Sequence, residues 1–167
     1  MPLKKEKKFK ASMSFPTNFY IGPRMISNIA YPNSLSGEEG FESINNAFEN
    51  MIEYSPKFVK IIKKINESDG PVFVYSSFLS HGGIKPFCAY LNYLGYQNFD
   101  KNGTGLKRYA VYSGDESLEK REKIKNTFNK KENENGSLIK IIVGSPSTKE
   151  GISLLRVRQV HIMEPHW

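Results

Sequence analysis

The sequence predicts a three-layer α/β domain built on a parallel sheet, and three observations carry that expectation. Four short apolar runs, at residues 72–75, 109–112, 139–143 and 160–163, have the length and the Val, Ile, Phe and Tyr content of strands. The runs are continuous rather than alternating, which suits strands buried on both faces. Amphipathic helical patterns or long turns separate them, as parallel neighbours require, because a parallel pair cannot be joined by a hairpin.

In chain order, residues 1–12 form a basic arm in which Lys4, Lys5, Lys7, Lys8 and Lys10 face Glu6 alone. Residues 13–54 read as an extended arm. It is rich in Ser, Asn, Pro and Gly up to residue 40, with Phe15, Phe19, Tyr20 and Tyr31 scattered through it, and no regular structure is expected there. Phe41, Ile44, Phe48 and Ile52 then recur at helical spacing and predict a short helix near residues 41–53. Ser55-Pro56 is a helix start, a hydroxyl cap followed by proline at the first helical position. Phe58, Ile61, Ile62 and Ile65 mark the buried face of that helix, and Lys57, Lys60, Lys63 and Lys64 are expected in solvent. Asp69-Gly70-Pro71 ends it, and the first strand follows.

After that strand, Ser80-His81-Gly82-Gly83 leads into a helix with Ile84, Phe87, Cys88, Leu91 and Leu94 on one side, closed by Gly95. Residues 98–108, with Gly103-Thr104-Gly105, look like a surface insertion before the second strand. Ser117 then caps a helix running to Phe128, with Leu118, Ile124 and Phe128 expected inward. A polar loop over residues 129–137 leads to the third strand.

At 167 residues and 38% hydrophobic content the chain holds one domain with a core of its own. No window is apolar enough to span a membrane, and the Lys-rich start lacks the apolar run of a secretion signal, so no membrane partner is expected. Cys88 stands alone and has no internal disulfide partner, which fits a reducing compartment. The net charge is +7, of which residues 1–10 supply four, and it favours a polyanionic partner.

Several chemistries are poorly supported. The chain contains no Gly-Lys-Ser/Thr phosphate loop and no Gly-x-Ser-x-Gly elbow. Asp115-Glu116 is set off from its strand end by Ser113-Gly114, and reads as a pair of helix-start carboxylates. His81, His161, His166 and Cys88 lack metal-ligand spacing, so no metal site and no catalytic residue are assigned. What remains is a sheet edge where Ser76-Ser77-Phe78, Ser113-Gly114 and the hydroxyl-rich turn Ser145, Ser147, Thr148 with Lys149 all leave strands on the same side. Open α/β sheets bind ligands there, although Ser and Thr favour ordinary turns as well.

Phe73-Val74-Tyr75-Ser76-Ser77, Tyr112-Ser113-Gly114-Asp115 with Arg121 after it, and the stretch from Gly144 through Ser145-Pro146-Ser147-Thr148-Lys149-Glu150-Gly151 to Leu154 share an order with a known family. So does the ending Val160-His161-Ile162-Met163-Glu164-Pro165-His166-Trp167. Together they resemble motifs IV to V of the second RecA-like lobe of superfamily 2 helicases. The likeness is to the helicases and nucleoside triphosphatases of large nucleocytoplasmic DNA viruses, of poxvirus and mimivirus type, which are relatives of Swi/Snf ATPases. It covers about residues 55–167, and residues 1–54 contribute little to it.

The resemblance implies a RecA-like lobe belonging to an ATP-driven motor on DNA or RNA. Ser76, Ser77, Phe78, Ser145, Ser147, Thr148 and Lys149 would touch the nucleic-acid backbone. Glu150, Gly151 and Ser153 would face the nucleotide cleft, with Ser153 standing where relatives carry Asp or Asn. ATP and Mg2+ would serve the complete protein. Its other partners would be a first RecA-like lobe and the viral transcription machinery, in the virion or the viral factory of the host cytoplasm.

The chain departs from the family in lacking a Walker A loop and an Asp-Glu box, and in stopping before the arginine of motif VI. It is therefore expected to be an incomplete lobe, inactive in ATP hydrolysis alone. Two further readings are a non-catalytic module that binds nucleic acid or a polymerase through a degenerate RecA-like lobe, and an unrelated α/β enzyme whose Ser145 loop binds a phosphorylated metabolite.

Overall fold

The computed structural model describes residues 20–101, 107–148 and 152–165. Among them five strands form one sheet: β1 Val72–Tyr75, β2 Gln97–Asn98, β3 Arg108–Tyr112, β4 Ile141–Gly144 and β5 Gln159–Ile162. The order across the sheet is β2-β3-β4-β1-β5, and every pair is parallel. Val74 lies opposite Val143 on one side and His161 on the other, and Val143 in turn lies opposite Val111. All carboxyl ends therefore open on one edge. The expected α/β class holds, and a five-stranded parallel sheet flanked by helices is the architecture of a RecA-like lobe.

The alternation of side chains along each strand divides the core in two. Val72, Val74, Tyr109, Ile141 and Val143 pack on α4 (Pro56–Asn66) and α5 (Ile84–Tyr93) through Phe58, Ile61, Ile62, Ile65, Phe87 and Leu91. There the Phe58 and Phe87 rings meet edge to face at 5.1 Å. On the other face Ala110, Tyr112 and Ile142 pack on Ile124 and Phe128 of α6 (Leu118–Phe128). That single helix serves the β3–β4 half. The β1–β5 half is left as a groove of about 360 Å3 lined by Phe73, Thr148, Ile152, Leu154, Val157 and Val160. Val160 and Ile162 on the edge strand are 60% and 66% exposed.

Local chemistry starts α4 and α6 as the sequence leads one to expect. Ser55 Oγ accepts from Phe58 N at 3.0 Å, and Ser117 Oγ accepts from Lys120 N at 3.2 Å, each cap being worth about 1 kcal/mol. Gly95 follows α5 at φ +83°, the left-handed position that ends a helix.

The N-terminal segment differs from expectation. Where residues 13–40 read as extended, helices α1 (Ile21–Asn28) and α2 (Gly37–Ser43) form, while residues 1–19 lie outside the described residues. Gly22 and Pro23 hide α1 from a periodicity reading, yet proline is tolerated in a first helical turn because its missing N–H has no partner to lose there. The helix expected near residues 41–53 is broken. A turn after α2 leads to a short 3-10 stretch, Phe48–Asn50, and then α3 (Met51–Tyr54). This shift of phase sends Met51 inward and leaves Ile52 55% exposed.

Further along, β2 falls at the start of the presumed surface insertion, so Gln97 and Asn98 belong to the sheet; residues 102–106, with Gly103, Thr104 and Gly105, lie outside the described residues. Leu118 is 68% exposed rather than inward, being the first residue of its helix. Lys57 is half-buried rather than solvated, for a reason given below.

Candidate nucleic-acid interface

The sheet ladder continues past the strand ends and sets the edge loops side by side. Ser76 N donates to Gly144 O at 3.1 Å, Ser145 N to Tyr112 O at 3.2 Å, and Met163 N to Tyr75 O at 2.9 Å. The loops after β1, β3, β4 and β5 thus form one row. Gly114 and Ser147 approach closely, since a Cβ on the glycine would stand 3.7 Å from that of the serine. Gly144 is required at its strand end, where a Cβ would meet the Phe73 ring at 2.6 Å and the Thr148 methyl at 2.9 Å.

Beneath this row lies a buried carboxylate that the sequence reading did not single out. Glu164, fully buried after β5, accepts from Ser76 Oγ at 3.1 Å, from the backbone N–H of Ser77 and from Asn28 Nδ2 at 2.7 Å. Ser76 Oγ also receives Phe78 N at 3.1 Å, so the hydroxyl shapes its own loop. Asn28, on α1, turns its other amide atom to Lys57: Lys57 Nζ donates to Asn28 Oδ1 at 2.9 Å and to Met163 O at 2.6 Å. Burial lowers the Lys57 pKa and the Glu164 charge partly restores it. Buried charges persist where hydrogen bonds satisfy them, and here the N-terminal segment supplies the satisfying groups. In the sequence Glu164 stands within the ending that resembles the helicase motifs, with no role assigned to it, and Asn28 carries no signal.

The described part of the loop after β4 opens with a 3-10 turn, Pro146–Thr148. Thr148 Oγ1 donates to Ser145 O at 2.6 Å, and the Ser145 and Ser147 hydroxyls lie 2.9 Å apart. Ser76, Ser145 and Thr148 are buried, whereas Ser77, Phe78 and Ser147 are partly exposed on the row. Ser153 is exposed and its carbonyl accepts from Asn129 Nδ2 at 2.8 Å. Lys149, Glu150 and Gly151 lie outside the described residues, as do His166 and Trp167.

A second depression of about 460 Å3 beside the row is lined by Leu79, Lys85, Cys88, Val111, Asp115 and Glu116, among others. Burial pushes the Cys88 thiol up to about 12, so it packs as a small apolar group rather than acting as a nucleophile. Glu116 is paired with Lys120. Among the described residues no group of three or more His, Cys, Asp or Glu gathers to hold a metal, and the chain carries no phosphate-binding loop. The described residues alone therefore offer no cradle for ATP with Mg2+. No helix of the described residues is long and apolar enough to cross a membrane.

A parallel five-stranded sheet flanked by helices, with Ser76-Ser77-Phe78 and Ser145-Pro146-Ser147-Thr148 on its carboxyl edge, has the architecture of a RecA-like lobe. The chain is 50% identical over 153 residues to a protein of Acanthamoeba polyphaga mimivirus named "Putative ATP-dependent RNA helicase R563", matching 90% of this chain and 27% of that protein. A second mimivirus protein, "Putative ATP-dependent RNA helicase R350", is 38% identical over 117 residues, which is 70% of this chain and 14% of that protein. The "Termination factor NPH-I homolog" of African swine fever virus is 27% identical over 192 residues, covering 90% of this chain and 27% of its own length. No family model matches the chain. The chain is homologous to these viral proteins, as a RecA-like lobe of superfamily 2 helicase type, and spans about a quarter of the length of the first of them. Coverage of 90% is more than residues 55–167 provide, so the match runs into the N-terminal segment, contrary to the expected restriction to residue 55 onward.

Proposed function

We propose that the chain forms part of an ATP-dependent viral helicase or nucleic-acid-dependent ATPase and grips the phosphate backbone of DNA or RNA with the carboxyl edge of its sheet. The observation that carries this reading is the row of loops after β1, β3 and β4, locked together by ladder bonds in a chain that is half identical to a helicase-named relative. A motor that steps along a track needs a hold indifferent to sequence, which hydroxyls, backbone amides and a few cations on phosphates supply and base-edge contacts do not.

In this reading Ser77, Phe78, Ser147 and Lys149 meet the backbone, while Ser76, Ser145 and Thr148 hold the loops in shape. Glu150, Gly151 and Ser153 form one wall of the cleft shared with a first RecA-like lobe, where the complete protein binds ATP with Mg2+. The swine fever relative's name, a termination factor homolog, points to the viral transcription machinery as a partner, within the virion or viral factory.

The test is fluorescence anisotropy with labelled single-stranded 20-mers of DNA and RNA. Binding is expected to be weak, indifferent to sequence and steeply salt-dependent, because it rests on counterion release. Ser147→Ala combined with Lys149→Ala is expected to weaken it. No binding at 50 mM salt contradicts the proposal.

A further inference from the structure

We propose that Arg24, on helix α1, is a phosphate-binding residue of this interface and shares a phosphodiester group with Ser77. The inference rests on the reading of the sheet edge given above and extends it to a segment outside the helicase-like motifs.

Arg24 Nη2 donates to Ser77 Oγ at 3.3 Å, and the guanidinium lies over the Phe78 ring, 5.1 Å from its centroid. Its Nε is buried without a hydrogen-bond partner. Among the described residues no carboxylate stands within ion-pair distance of it. The cation is therefore held at the β1 loop by a hydroxyl and an aromatic face, with no ion pair among the described residues.

Its position is fixed from below. Arg24 and Asn28 are four residues apart on α1 and share one face of it. Asn28 donates to Glu164, and the same carboxylate receives the Ser77 N–H. One buried group thus sets both the arginine's helix and the serine's backbone. The Ser77 hydroxyl accepts from arginine and has the Tyr75 hydroxyl 3.4 Å away; with Tyr75 donating as well, it keeps its own proton for a phosphate. A guanidinium stacked on an aromatic ring keeps its Nη edge available for phosphate, which it binds as a fork rather than as a point charge. A phosphate entering beside Phe78 would meet two donors already 3.3 Å apart.

The bland alternative is that Arg24 only braces α1 against the β1 loop. Two experiments on the full 167-residue chain separate the two roles. In the first, arginine-selective labelling by phenylglyoxal is read by mass spectrometry with and without a 20-residue oligothymidylate. Residues 1–10 contain lysines but no arginine, so the basic arm does not confuse the readout. Arg24 is expected to be protected by the oligonucleotide; unchanged labelling at saturating oligonucleotide overturns the proposal.

In the second, Arg24→Met keeps the apolar stem over Phe78 and removes the charge. The slope of log Kd against log salt is expected to fall by about 0.7, one phosphate contact on a single strand, with affinity reduced by up to about tenfold. Arg24→Lys is expected to keep the slope at reduced affinity. A folded Arg24→Met protein with the parent's slope and affinity shows a brace only, and leaves the edge reading intact if Ser147→Ala with Lys149→Ala still weakens binding. Failure of the unaltered chain to bind the oligonucleotide overturns both readings.

Discussion

The side-chain amide of Asn28 bridges Lys57 and Glu164, accepting from the ammonium at 2.9 Å and donating to the carboxylate at 2.7 Å. Three segments distant in sequence, the first helix, the start of α4 and the chain after β5, meet at this one group. Removing the amide leaves a buried carboxylate short of a donor, at a cost of about 1–3 kcal/mol. Asn28→Ala is therefore expected to lower the unfolding free energy by that margin, read from the fall in the urea midpoint at unchanged slope. Glu164→Gln combined with Asn28→Ala is expected to cost less than the sum of the two single changes. Strict additivity in the double-mutant cycle would show that the bridge is not a coupled unit.

The same geometry makes the N-terminal segment part of the domain. Deleting residues 1–10 is expected to leave the thermal midpoint unchanged. Deleting residues 1–54 uncovers Glu164 and Lys57 together with the Ile29, Ile44 and Met51 share of the core, and is expected to abolish cooperative unfolding. A residue 55–167 protein with the parent's midpoint contradicts this.

Half-buried His161 has its pKa lowered by burial, so the folded state favours the neutral ring. As pH falls below the ordinary value near 6.5 the unfolded chain takes up the proton first, and stability is lost until the lowered folded value is passed. His161→Gln is expected to flatten the stability-against-pH curve in that window. An unaltered slope assigns the acid sensitivity elsewhere.

Val160 and Ile162 stand open beside the groove that α6 does not cover. Exposed apolar strand edges associate with one another. Val160→Thr with Ile162→Thr is expected to reduce self-association in light scattering with little change in midpoint, since neither side chain is buried. Equal self-association before and after places the sticky surface elsewhere.

ATP turnover by the isolated chain is expected to match buffer with or without nucleic acid, because its 167 residues carry no phosphate loop. Hydrolysis that persists through rigorous purification argues against the lobe reading.

The sheet and its helices were legible because burial imposes a period that the sequence must keep. Val72-Phe73-Val74-Tyr75 and the Phe58, Ile61, Ile62, Ile65 stripe can hardly be anything else. The short β2 strand was not legible, since Gln97 and Asn98 pair at the sheet's rim without an apolar signal. Nor was α1, which is held by Asn28 bonding to Lys57, Gly82 and Glu164 and by Ile29 joining the core rather than by its own pattern. At the candidate site the serines could be read as a group, but their separation into loop-shaping Ser76, Ser145 and Thr148 and partly exposed Ser77 and Ser147 depends on hydrogen bonds that no spacing encodes. Arg24 lies outside the motifs and reaches the site only through the fold.

Hydrogen–deuterium exchange of the 167-residue chain with and without a single-stranded 20-mer shows whether the sheet's carboxyl edge is the nucleic-acid contact. Slowed exchange is expected in peptides covering residues 76–83 and 145–154, with residues 20–28 protected beside them. Protection confined to residues 1–12, with the edge loops exchanging as in the free protein, would contradict the account.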